Sequence, residues 1–189
     1  MLEQSDRENL IAQAIGHTVV AAASFEKALL AEIYRRQLDA DLPIDEVEDR
    51  FDSAPGGLLL RKLREQGLEP ALADRIESVL KRRNGLVHGV IEDLDVIRAM
   101  SSGENIKDVV ASIEELGSDC LAVSRELQHS LATFVEARHG VSLDSLAVAL
   151  LRADLSEVPD PEQRATLEMA RALIELAGWT DARPPEPAD

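Results

Sequence analysis

Ile106, Ile113, Cys120, Leu127 and Phe134 recur every seven residues, and Val109, Leu116 and Val123 fill the intermediate positions. A seam of this period is buried when its segment is a helix lying on other helices. The register survives across Gly117, so the pattern predicts one helix of about 34 residues, roughly 50 Å at 1.5 Å per residue. Gly140 is placed to stop it, and Ser101 and Glu104 stand ahead of it at capping-box spacing. In a chain of 189 residues, the remaining core has to be laid along this rod.

A second long stripe lies near the N-terminus. Ile11, Ile15, Thr18, Ala22, Phe25 and Leu29 step by four and three, which places them on one helical face from about residue 5 to Asp39. Between Asp39 and Asp52 seven acids face the single base Arg50, and Pro43 and Pro55-Gly56-Gly57 punctuate the segment. It reads as a solvated connection with one short helix. A second helix follows from Gly57 to Gly67, burying Leu59, Leu60 and Leu63. Pro70 suits the first turn of a third, whose stripe is Leu72, Ile76, Val79 and Leu80. The stretch up to Ser101-Ser102-Gly103 reads as polar.

Beyond Gly140, Leu143, Leu146, Ala147 and Leu150 predict a short helix. Asp160-Pro161-Glu162-Gln163 opens another, and the tail Arg183-Pro184-Pro185-Glu186-Pro187 reads as disordered. Apolar residues make up 45% of the chain and aromatics 3%, which favours helices packed through aliphatic side chains over a β-sandwich. The expected architecture is therefore all-α. A helical bundle spans residues 1–140, framed by the long first and fourth helices, and a helical extension with an acidic, Pro-rich tail spans 141–189.

Charge and motifs narrow the chemistry. The formal net charge of -16 repels phosphate backbones and anionic lipid at long range, so contact with nucleic acid requires a local basic site. The polar, acidic start MLEQSDRENL is unlike a signal peptide. No apolar run approaches the ~20 residues of a membrane span, so the expectation is a cytoplasmic protein with no membrane partner. His17, His88, His129 and His139 lack a second ligand at metal spacing, and a lone Cys120 on the apolar seam is a core residue. Gly56-Gly57 has no following Lys-Ser/Thr to cradle phosphate, and there is no Gly-x-Ser-x-Gly elbow. No metal and no cofactor is expected.

What remains is Arg83-Asn84-x-x-x-His88. Arg83 lies four residues after Val79 and seven after Ile76, so it extends a buried stripe, where a cation needs a partner or a wet cleft. Asn84 and His88 are four apart and share a face. A fixed cation, an amide and a group titrating near neutral pH suit RNA cleavage without metal. In such a site Arg83 offsets charge on the scissile phosphate, His88 moves the proton and Asn84 orients. The residues also admit a structural reading, in which Arg83 caps carbonyls or pairs with an acid and His88 is a hydrogen-bonded core residue. Glu26 is either the acid that holds Arg83 or His88, or a boundary residue whose head reaches water. From Arg61 to Arg83 seven bases face four acids. Lys81 and Arg82 are the candidate RNA contacts there, or else serve surface solubility.

Arg83-Asn84-Gly85-Leu86-Val87-His88-Gly89 resembles the Arg-x(4–6)-His motif of the HEPN superfamily of small helical bundles, and residues Ile15 to Leu29 resemble its first long helix. The resemblance covers roughly residues 8–138. It implies a homodimeric ribonuclease with the motifs of two chains in one cleft, Arg83 and His88 as the catalytic pair and Asn84 as the supporting polar residue. It also implies a toxin or defence effector that acts on RNA, with an antitoxin or defence-complex protein as a further partner. A toxin subgroup has Tyr two positions after the His; Val90 stands there in this chain, which departs from control by modification of that Tyr. The alternative is a non-catalytic helical module that binds a nucleotide or a protein.

Overall fold

The computed structural model describes residues 3–40, 55–89, 94–140 and 142–160, with 164, 167, 171 and 174; the side chains of 87–89, 94, 139, 143 and 144 lie outside the description. Among the described residues every regular element is helical. They are α1 (Gln4–Asp39), α2 (Gly56–Glu65), α3 (Pro70–Gly89), α4 (Leu94–Ser102), α5 (Ile106–His139) and α6 (Leu143–Arg152), then a 3-10 turn at Leu155–Glu157. The all-α bundle framed by two long helices is thus what the chain forms. The acidic connection after Asp39 and the Pro-rich tail fall outside the described residues.

Local chemistry sets the helix ends. Glu3 and Asp6 close a capping box on α1. Glu69 accepts from the amides of Ala71 and Leu72 ahead of α3, filling first-turn donors that Pro70 leaves open. α2 ends in a Schellman turn, with Gly67 at φ +79° and the Leu68 amide bonded back to the Leu63 carbonyl. Gly140, at φ +67°, ends α5 where the spacing predicts.

One expectation is corrected before α5. The polar stretch contains α4, a helix not singled out in the sequence, whose Val96 and Ala99 are buried. Ser101 does not cap α5, because its hydroxyl donates back to Ile97; Asn105, at φ 57°, occupies the cap. The buried Arg7 fastens this corner, donating from Nε to Met100 O at 3.1 Å and from Nη2 to Ser101 O at 3.0 Å.

α1 and α5 run parallel. Arg7 meets the turn before α5, Thr18 meets its first third, and Leu38 O accepts from Arg138 near its end. They approach closely at Gly117, where a Cβ would stand 3.0 Å from Thr18 Oγ1 and 3.4 Å from Thr18 Cα. The buried Thr18 hydroxyl donates to Ile113 O at 2.8 Å. Around this crossing Phe25, Leu29 and Ile33 of α1 pack with Leu63, Ile76, Cys120 and Val123. α3 lies antiparallel to α5 on the same core. A smaller cluster of Ile11, Ala14, Val96, Ala99 and Ile113 closes one end. At the other end Leu131 and Val135 receive Ala147, Leu150 and Ile174 from the chain beyond Gly140. One 18-residue stretch of α1, with mean hydropathy 1.2, is long and apolar enough to cross a bilayer by composition, yet half of it is buried in the bundle.

One ion cluster was not foreseen. Glu32, 2% exposed, accepts from Arg35 at 2.7 and 2.8 Å and from Arg36 at 2.7 Å. Arg36 also donates to Gln66 O at 3.0 Å, tying α1 to the turn after α2.

The crossing makes a direct demand on side-chain size. Gly117→Leu should cost about 2–3 kcal/mol through overpacking and lower Tm by about 4–12 °C in a chain of this length, as read by circular dichroism. An unchanged Tm would mean that the helices are not held at this distance.

Candidate functional site

Arg83 lies in the last third of α3, where that helix passes the middle of α1. Continuing the Ile76–Val79 stripe, it faces α1 and not open water, and Glu26 meets it there: Nη2 lies 2.9 Å from Glu26 Oε1. Nη1 donates to Asn84 Oδ1 at 3.1 Å. Arg83 Nε is buried and has no partner among the described residues. The side chains of Arg83 and Glu26 are 26% and 31% exposed, so the pair sits at the rim of the bundle. Beside it is a hollow of about 120 Å³ whose walls include Thr18, Val19, Ala22, Ala23 and Leu86.

The structure therefore brings Arg83, Asn84 and Glu26 together. Glu26 combines features of its two readings, contacting Arg83 while its side chain stays 31% exposed at the boundary with water. His88 lies on α3, five residues after Arg83, and its side chain falls outside the described residues. Gly85, on the exposed side of α3, has nothing within 4 Å of where a Cβ would stand.

Lys81 and Arg82 point elsewhere. Lys81 pairs with Glu77 at 2.7 Å. Arg82 crosses to α5, where it bonds Asp119 at short range and lies 3.4 Å from Glu115. The other bases of the Arg61–Arg83 stretch are paired too. Arg61 and Lys62 lie near Glu65, Arg64 reaches Asp74 and Glu77, and Arg75 holds Glu126 at 2.7 Å. Hydrogen bonds from Lys81 and Arg64 hold the Glu77 carboxyl down at about 2. The local excess of three bases is thus met by four acids from other helices, Glu26, Glu115, Asp119 and Glu126.

Those partners were missed in the sequence, though a signal exists. Asp119 and Glu126 are seven apart on α5, and Arg75 and Arg82 are seven apart on α3. Two antiparallel helices with matching seven-residue charge spacing pair their ends in reverse order.

On the far flank of α3 a cleft of about 490 Å³ opens between α3, α4 and α5, with Arg82, Asp95, Asn105, Asp108 and Ser112 among its polar walls. A second groove of similar volume, between α1 and α4, is lined by Ile11, Ala12, Ile15, Val96, Ile97 and Met100. Among the described residues no three His, Cys, Asp or Glu side chains cluster as metal ligands. Cys120 is fully buried under the Arg82–Arg83 turn, and burial pushes its thiol up to about 11, so it is a packing group and not a nucleophile.

Comparison with family models, with curated proteins and with solved structures returns no match.

Burial of Cys120 has a direct readout. At neutral pH the native protein should react with a thiol reagent far more slowly than the same chain in guanidinium, because both access and thiolate are lacking. Equal rates would place the sulfur at the surface.

Proposed function

We propose that the protein is a metal-independent endoribonuclease of HEPN type, acting in the cytoplasm as a toxin or defence effector and working as a homodimer. The observation that supports the reading is a rim-exposed guanidinium on α3 with an amide 3.1 Å away and an imidazole-bearing residue five positions on. In this mechanism Arg83 binds the scissile phosphodiester and offsets charge on its equatorial oxygens. Asn84 orients the phosphate or the imidazole. The 2′-hydroxyl attacks phosphorus, the new 2′-O–P bond forms and the P–O5′ bond breaks. His88 takes the proton from the 2′-hydroxyl or returns one to the leaving 5′-oxygen. The products are a 2′,3′-cyclic phosphate and a 5′-hydroxyl end.

Cleavage of total RNA by the purified chain in EDTA tests this. His88→Ala and Arg83→Ala should each lower the rate by about 10²–10⁴, the range for loss of a proton-transfer or charge-stabilising group. Wild type and variants giving one common background would end the nuclease reading.

The exposed side of α1 next to Arg83 suits a second copy. Val19 and Val20 are 49% and 68% exposed, and Gly16 one turn earlier has nothing within 4 Å of a Cβ position, so another helix can approach closely. In this arrangement two Arg83–His88 segments flank one cleft. Light scattering should give twice the 20.6 kDa chain mass, and Val20→Glu should give the single mass. A wild-type monomer at micromolar concentration would remove the homodimer.

A second reading is favoured by the paired bases around α3 and by the 3% aromatic content, which leaves few rings for stacking bases. On it the same bundle is a non-catalytic module for a nucleotide or a protein partner.

A further inference from the structure

We propose that Glu26 is a built-in competitor for phosphate, a carboxylate that holds the guanidinium of Arg83 until a phosphodiester displaces it. The inference rests on the reading of Arg83 as the phosphate ligand and adds how that ligand is restrained.

Carboxylate and phosphate oxygens recognise the same donors of a guanidinium, and both do so best by two parallel hydrogen bonds. In this structure the donors are partly filled from within the chain. Glu26 takes Nη2 at 2.9 Å and Asn84 takes Nη1 at 3.1 Å, while Nε has no partner among the described residues. Nη2 is thus the donor for which carboxylate and phosphate contend, and a phosphate oxygen that takes it displaces Glu26.

Release of the carboxylate needs no rearrangement of the helices. The Glu26 side chain is nearly a third exposed, and its neighbours one turn back and one turn on, Ala22 and Leu30, are apolar side chains with no polar group to hold it. The head can rotate into water about its own side-chain bonds. An exposed pair of this kind is weak enough for an incoming anion to break.

A positioning residue would occupy the same place, but the two roles have opposite signs. Removing a competitor tightens binding of an anion, whereas removing a positioner weakens it. The test uses the full chain and a fluorescein-labelled 2′-O-methyl oligoribonucleotide, which lacks the attacking hydroxyl, with affinity read by anisotropy. Glu26→Gln and Glu26→Ala should each bind about three- to fivefold tighter than wild type, the scale of one lost surface ion pair. The tightening should vanish when Arg83→Ala is added. On wild-type protein, the Arg83 side-chain nitrogen resonances should shift as the oligonucleotide is added, a readout that needs no variant.

Glu26 variants that melt like wild type and bind equally or more weakly overturn the competitor. If Arg83→Ala alone still weakens binding, the phosphate site stands and only the role of Glu26 falls. Binding and resonances indifferent to Arg83 would overturn both.

Discussion

The bundle depends on how closely α1 and α5 approach at Gly117. With no side chain there, the backbone of α5 comes within contact of Thr18, and the Thr18 hydroxyl is satisfied by Ile113 O. A buried hydroxyl without a partner would be costly, so the bond and the missing Cβ belong to one arrangement. The crossing fixes the spacing at which Phe25, Leu29 and Ile33 meet Cys120 and Val123. It also sets the width of the groove that α3 fills, and with it the reach from Arg83 to Glu26.

Around that frame, charge is organised by pairing between helices. α3 presents Arg75 and Arg82 to Glu126 and Asp119, and Arg83 to Glu26. Most of these pairs are exposed and add little to stability. Their larger effect is on the field at the site, because they cancel the local basic excess. This surface of α3 therefore carries no broad cationic track, the feature on which non-specific adhesion along a nucleic-acid backbone depends.

The long periodic segments were legible because their burial is continuous. Ile11 to Leu29 and Ile106 to Phe134 each keep one apolar side in contact with successive buried clusters along the bundle, and the helices form where that side runs. α4 was not legible. Its nine residues carry two fully buried positions, Val96 and Ala99, too few to stand out beside Ser101-Ser102-Gly103. The cap of α5 was misread for a related reason, since Ser101 satisfies the end of one helix and so is unavailable to the next. At the site, Arg83 and Asn84 could be singled out as adjacent polar residues on an apolar stripe. The pairing of Lys81 and Arg82 could not, because it depends on which side of α5 lies against α3. The buried Glu32 cluster was hidden in the same way: two arginines three and four residues on look like surface charge until the turn after α2 meets Arg36 and Phe134 of α5 meets Arg35.

The parallel sense of α1 and α5 bears on how the chain reaches its native state. Thr18 and Ile113 are 95 positions apart, and Arg7 and Ser101 are 94 apart, so the central contacts close loops of about half the protein. In an up-and-down bundle each helix finds its partner as the next one made. Here α2 and α3 bring Leu63 and Ile76 to α1 early, but the side that meets α5 waits for almost a hundred further residues, at about 5–20 per second. High separation of this kind slows the search for the native arrangement. For roughly 5–20 s of each round of synthesis, that side of the N-terminal helix has no partner within its own chain.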